Sequence, residues 1–249
     1  MTAITSLALA ESTNAGSVRS WNAVSGDFNG DGKLDVVTSN RGSTSVTMFL
    51  GNGNGTFQAG QVTAIANTFS KPFALAAGDV NNDGKLDLVV TSTTASGSGG
   101  VAVLLGNGDG TFQPASIFIN DLGGAVSVAL ADVNGDGNLD VLAGLVGGGV
   151  EVFLGIGDGT LSAPVVYGAS LGRINALVAA DMNADGMLDL VATGSTGVSI
   201  LLGNGDGTFQ SPVTNSSLSN AVGLVVADFD GDGFLDVDCQ FSGAGESNL

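Results

Sequence analysis

The chain has 249 residues, of which 43% are hydrophobic and 12% charged, with no His and a formal net charge of −18. That is apolar material enough for one large domain or two small ones, under a surface acidic enough to repel phosphate backbones, so nucleic acid is excluded as a partner. No apolar run reaches the roughly 18 residues of a membrane span, so membrane insertion is not expected.

The start, "MTAITSLALAES", carries an Ala-Leu-Ala but no base before Arg19, and it reads as a strand rather than an export signal. Any such signal is expected outside this chain, as part of a longer polypeptide. Next comes an acidic string, D-F-N-G-D-G-K-L-D, from Asp27 to Asp35. It returns with small edits at 79–87, 132–140, 181–189 and 228–236, the first Asp residues being 52, 53, 49 and 47 apart. A second string, "LGNGNGTF" from Leu50, recurs from Leu105, Leu154 and Leu202 in constant phase with the first. A repeat near fifty residues decides the architecture before any local pattern does.

Within each unit the order is strand, acidic string, strand, strand, Gly-rich turn, strand. Small apolar residues precede the last four strings ("ALAAG" at 74–78, "GLVVA" at 223–227), and β-branched runs such as "LDLVVTS" follow them. A third run, "SVTMFL" at 45–50 or "VEVFL" at 150–154, leads into Asn-Gly and Asp-Gly, which supply the positive φ of tight hairpins. "TFQPASIFI" at 111–119 supplies the fourth strand. Four short strands per repeat and no helical period predict an all-β fold, a single β-propeller domain over 1–249 with five four-stranded blades. Both a closed five-bladed ring and an open fragment of a larger propeller are consistent with the repeats. Cys239, the only cysteine, is expected to be a small core hydrophobe.

Sixteen of the 24 acids lie in the five strings. Oxygens at positions 1, 3, 5, 7 (through the backbone carbonyl) and 9 can converge on one hard divalent cation, with Gly at position 6 for the sharp turn. The candidate ligands are Asp27, Asn29, Asp31, Lys33 and Asp35 in the first loop, and Asp79, Asn81, Asp83, Lys85 and Asp87 in the second. The third has Asp132, Asn134, Asp136, Asn138 and Asp140, and the fourth Asp181, Asn183, Asp185, Met187 and Asp189. The fifth has Asp228, Asp230, Asp232, Phe234 and Asp236. An EF-hand would close with an acid at position 12, where this chain has Thr38, Val90, Ala143, Ala192 and Cys239. Without His, zinc and copper are disfavoured, and calcium suits the donor set better than magnesium. Up to five calcium ions are expected, one per loop, with a structural role. Turn-capping by the Asp and Asn side chains is the simpler use of such residues, but five copies at matched positions favour the ion.

"DVNGDGNLDVL" followed by "VEVFLGIGDGT" resembles the FG-GAP/VCBS repeats of integrin α-chain propellers and of many bacterial secreted or surface proteins. The resemblance covers nearly the whole chain and is closer to the bacterial type, since the Phe-Gly and Gly-Ala-Pro signatures are absent. It implies a calcium loop between the first two strands of each blade, a secreted or cell-surface location, and a role in adhesion or in recognition of protein or carbohydrate. The alternative it implies is a passive accessory module of a larger extracellular protein.

Loops at the opposite end of the blades carry Arg19, Trp21, Phe69, Lys71, Phe73 and Arg173, a candidate ligand face of bases and aromatics. Trp21 and Phe73 lie beside first strands, where packing between blades is the simpler role. Catalysis is not expected. No nucleophile–His pair can be assembled, and three acids outside the strings, Asp109, Asp158 and Asp206, occupy repeated turns.

Overall fold

A computed structural model describes residues 19–66, 71–93, 99–120 and 123–241. Phe69 and the opening segment read as a strand lie outside the described residues. The first blade is β1 (Arg19–Gly26), β2 (Asp35–Arg41), β3 (Thr44–Phe49) and β4 (Gln61–Ala64). The second is β5 (Lys71–Gly78), β6 (Asp87–Thr93), β7 (Gly99–Leu104) and β8 (Ser116–Asn120). The third is β9 (Ala125–Ala131), β10 (Asp140–Leu145), β11 (Val150–Phe153) and β12 (Val165–Tyr167). The fourth is β13 (Ile174–Ala180), β14 (Asp189–Gly194), β15 (Gly197–Leu201) and β16 (Val213–Asn215), and the fifth is described through β17 (Ala221–Ala227) and β18 (Asp236–Phe241). Each blade is an antiparallel meander in chain order, as the repeat predicts.

The first strands meet at every joint, β1 with β5, β5 with β9, β9 with β13 and β13 with β17, so they form the inner edge of a propeller. β17 and β1 make no comparable contact among the described residues, and the sheets form an open arc rather than a closed ring. The core lies between the blades. Alternate residues of a middle strand face opposite neighbours: Leu88 and Val90 of β6 join Val37, Val46 and Met48 of the first blade, while Val89 joins Val141 and Ala143 of the third. Leu142 in turn packs with Leu190 and Ala192 of the fourth. This two-sided burial explains why "LDLVVTS" shows no polar alternation.

Two joints show a second backbone contact below the strands. The Gly-rich hairpin of one blade leans on the acidic loop of the blade before it: the Gly110 N–H donates to the Phe28 carbonyl at 3.1 Å, and that of Gly207 to Val133 at 3.2 Å. Phe112 meets Phe28 edge-on at 5.8 Å. From the other side, Leu86 presses on Gly26 so closely that a Cβ there would lie 2.5 Å from it. At the ends of the arc these partners are lacking among the described residues. Leu34, equivalent to Leu86, is exposed, as are Val225, Phe234 and Phe241. Cys239 on β18 is half-buried, not the core residue its composition suggested, because the fifth blade is packed on one side only. The same asymmetry separates two equivalent loop residues, Val133 at 3% exposure and Phe229 at 58%. Val133→Ser is therefore expected to cost about 2–3 kcal/mol in denaturant unfolding, and Phe229→Ser less than about 0.5 kcal/mol.

Candidate metal loops and the opposite face

Each acidic string is the turn between the first two strands of its blade, at 27–34, 79–86, 132–139, 181–188 and 228–235. The loops share one hydrogen-bond scheme. The position 1 carboxylate accepts the N–H groups of positions 5 and 6, as Asp27 does from Asp31 and Gly32, and Asp181 from Asp185 and Gly186. The position 3 side chain (Asn29, Asn81, Asn134, Asn183, Asp230) accepts the position 5 N–H. The position 5 carboxylate accepts the N–H of position 7, the residues being Lys33, Lys85, Asn138, Met187 and Phe234. The Asx turns are thus all present. Most of these oxygens keep a second lone pair for a cation, but Asp132 Oδ1 and Asp228 Oδ1 each accept two N–H groups, from positions 4 and 5, and leave only their other oxygen to one.

Position 9 does something the sequence did not reveal. Asp35, Asp87, Asp140 and Asp189 are fully buried, and each accepts two backbone N–H groups from different strings. One oxygen of Asp140 takes the Val133 N–H and the other the Gly155 N–H, both at 2.8 Å. Asp35 does the same with Phe28 and Gly51, Asp87 with Val80 and Gly106, and Asp189 with Met182 and Gly203. This clasp ties the acidic loop to the Gly-rich hairpin of its own blade, and it explains why the two strings keep phase. In the fifth loop Asp236 holds the Phe229 N–H and is half-buried. Burial pushes the Asp87 and Asp140 carboxyls above the ordinary range against the pull of those N–H donors.

The donor set fits a hard divalent ion. In the fifth loop, oxygens of Asp228, Asp230 and Asp236 lie within 4.8 Å of one another, no farther apart than two ligands across one ion at about 2.4 Å each. In the other loops the position 5 carboxylate turns to a nearer partner. Asp31 pairs with the Lys33 ammonium at 2.8 Å and Asp83 with Lys85 at 3.3 Å, while Asp136 and Asp185 accept the Asn134 and Asn183 amides. The Lys33 hydrogen bond holds the Asp31 carboxyl below the ordinary range.

Loop curvature comes from left-handed residues at positions 4 and 6. Gly fills most of them, but Asn82 and Ala184 adopt φ 59° at position 4. A Cβ on Gly186 (φ 83°) would meet nothing within 4 Å, so its cost is conformational alone. Gly186→Ala is expected to lower unfolding stability by about 1–2 kcal/mol, whereas Ala184→Gly, two residues away, leaves it unchanged or raised.

At the other end of the blades the candidate ligand face divides. Trp21 and Phe73 meet edge-on at 5.6 Å, but Phe73 is 8% exposed, wedged between blades as packing requires, and Trp21 is 48% exposed. Over Trp21 rests the guanidinium of Arg41, 4.1 Å from the ring centroid and 5.6 Å from that of Phe73. Arg41 was not among the predicted residues; the signal for it was the scarcity of bases, only six in the chain. Arg19 lies opposite Arg41 in the β1–β2 register, Lys71 opens β5, and exposed Arg173 precedes β13.

The chain belongs to the FG-GAP-like repeat family. The family profile matches residues 9–90, 92–143 and 181–237. No curated protein sequence matches the chain. Among solved structures, an Agrocybe aegerita lectin that recognises non-reducing terminal N-acetylglucosamine is 25% identical with a TM-score of 0.57, over 86% of this chain and 59% of that one. The Photorhabdus luminescens Tc holotoxin pore is 21% identical (TM-score 0.44, 91% of this chain and 11% of that one). The V. cholerae biofilm matrix protein Bap1 is 19% identical (TM-score 0.40, 84% and 42%). The chain thus spans less than two thirds of the length of each.

The FG-GAP-like hairpins carry their own acids. Asp109, Asp158 and Asp206 accept the hydroxyl and the N–H of Thr111, Thr160 and Thr208, and these bonds hold their carboxyls below the ordinary range. A lowered folded-state pKa means a contribution present above the unfolded value, near 4, and lost as pH falls through the folded one. Amide exchange at Thr111, Thr160 and Thr208, corrected for intrinsic rate, is expected to accelerate on acidification below about pH 4. In Asp→Asn variants the acceleration disappears.

Proposed function

We propose that this chain is a calcium-braced recognition module of an extracellular or cell-surface protein, binding a glycan or protein partner and catalysing nothing. The observation that carries the calcium assignment is the five-fold recurrence of an oxygen-lined loop, whose final Asp is clasped from two directions in four of the five copies. The position 1, 3, 5 and 9 side chains and the position 7 carbonyl of each loop would hold the ion. Calcium supplies the positive charge that draws these carboxylates together, and five ions would offset ten of the eighteen net negative charges. Loops of this open, single-segment kind bind calcium weakly, which suits an environment rich in the free ion.

Recognition is supported by the exposed Trp21 and the bases around it, and by the fold likeness to a lectin. The absence of His from the sequence and the turn role of Asp109, Asp158 and Asp206 support a non-catalytic reading.

Thermal melting tests the structural ion. At calcium ten times its dissociation constant each site contributes about 1.4 kcal/mol, or about 7 kcal/mol for five independent sites. That is comparable to a whole domain's stability, about 5–15 kcal/mol. Chelator is expected to lower the melting temperature by more than about 10 °C, with calcium restoring it and magnesium doing so poorly. An unchanged curve refutes the assignment. Binding to a panel of neutral and acidic glycans, in calcium, tests recognition; silence across the panel leaves the passive accessory module.

A further inference from the structure

The six bases of the chain fall into two sets. Lys33 and Lys85 lie in the acidic loops and pair with Asp31 and Asp83. Arg19, Arg41, Lys71 and Arg173 belong to the opposite end. Among the described residues no ion pair joins Arg41, Lys71 or Arg173 to an acid. Arg19, Lys71 and Arg173 occupy the same place in their repeats, eight residues before the first Asp of the string. The topology therefore sets three bases around one mouth of the arc, where the inner strands begin.

A recurrent irregularity lifts one side chain beside them. Every inner strand slips register at its outset, between Ser20 and Ala23 in β1, Pro72 and Leu75 in β5, and Ile174 and Ala176 in β13. Such bulges re-aim a side chain. In these three strands the first residue at the step is Trp21, Phe73 and Asn175. Phe73 is buried against Trp21 and Arg41 of the preceding blade, and Asn175 donates its amide to the Ala221 carbonyl of the following one. Trp21 alone of the three keeps about half its surface in water, with Arg41 laid over its ring.

We propose that Arg41 and Trp21, with Lys71 at the start of the neighbouring β5, form a binding site for a carboxylate-bearing saccharide. A guanidinium resting on an indole is held in place by its face, and its N–H donors lie in its plane, suited to a bidentate carboxylate. The indole offers a flat apolar area to the C–H face of a sugar ring. The acidic loops lie at the far end of the strands, six residues from Trp21 and from Arg41, roughly 20 Å away. That exceeds the Debye length of about 8 Å at physiological salt, so the net negative charge does not forbid an anionic ligand here. An uronic acid unit matches both halves of the site.

This inference rests on the recognition reading above and narrows it to one ligand class. It is tested by calorimetric titration of the calcium-loaded protein with trigalacturonate and with its neutral methyl ester. Trigalacturonate is expected to bind, more weakly at higher salt, and the ester at least tenfold more weakly. Arg41→Gln and Trp21→Ala are each expected to weaken trigalacturonate binding tenfold or more without shifting the melting temperature by more than a few degrees. Lys33→Gln, at the opposite end, leaves it unchanged. Equal affinity for acid and ester, or binding indifferent to Arg41, overturns the proposal while recognition stands. Binding of an acidic peptide but of no saccharide overturns it likewise, and no binding to any saccharide or peptide removes both readings.

Discussion

In four of the five blades a carboxylate sealed from water accepts one N–H from the acidic loop and another from the Gly-rich hairpin of the same blade. Burying such a charge is costly unless its oxygens are satisfied, and here two backbone donors meet that need. The consequence is geometric. With Asp140 bonded to both Val133 and Gly155, the loop before it and the turn after β11 cannot shift independently. The clasped hairpins of the second and fourth blades in turn bond to the acidic loop of the preceding blade. Blade geometry and the joint between blades depend on the same contact, and the proposed calcium loops are built on it.

That arrangement polarises the molecule. The acidic loops lie at one end of every blade, joined in the second, third and fourth by the Asp-bearing hairpins. The other end is left to the bases not used in the loops. An acidic protein can thus carry a small basic face, and the stack of Arg41 on Trp21 gives that face a shape as well as a charge. Both ends follow from one repeat: the acidic end is copied five times, and the opposite end is where the copies diverge, Trp21, Phe73 and Asn175 standing at equivalent places.

The copying is also what made the fold legible in the sequence. Strand order, the turn at each acidic string and the two-sided burial of β2, β6, β10 and β14 follow from the fifty-residue period and the β-branched runs. What depended on a neighbour was hidden. Nothing local distinguishes Val133 from Phe229, or a wedged Phe73 from a half-exposed Trp21; the difference lies in whether another blade covers the residue. Cys239 had core composition but only one packed side. The clasp was invisible for a related reason, since each position 9 Asp looks like one more metal ligand until the hairpin glycine, 14 to 19 residues later, is brought against it. Arg41 could be found from sequence only by asking what the few bases outside the acidic loops were for.

Native mass spectrometry at millimolar free calcium, with magnesium as competitor, counts the ions each chain holds. Calcium-specific adducts are expected to rise to five per chain, with one ion fewer when the three carboxylates Asp228, Asp230 and Asp236 are replaced by Asn. A chain that remains free of specific calcium, or takes up magnesium as readily, contradicts the calcium assignment.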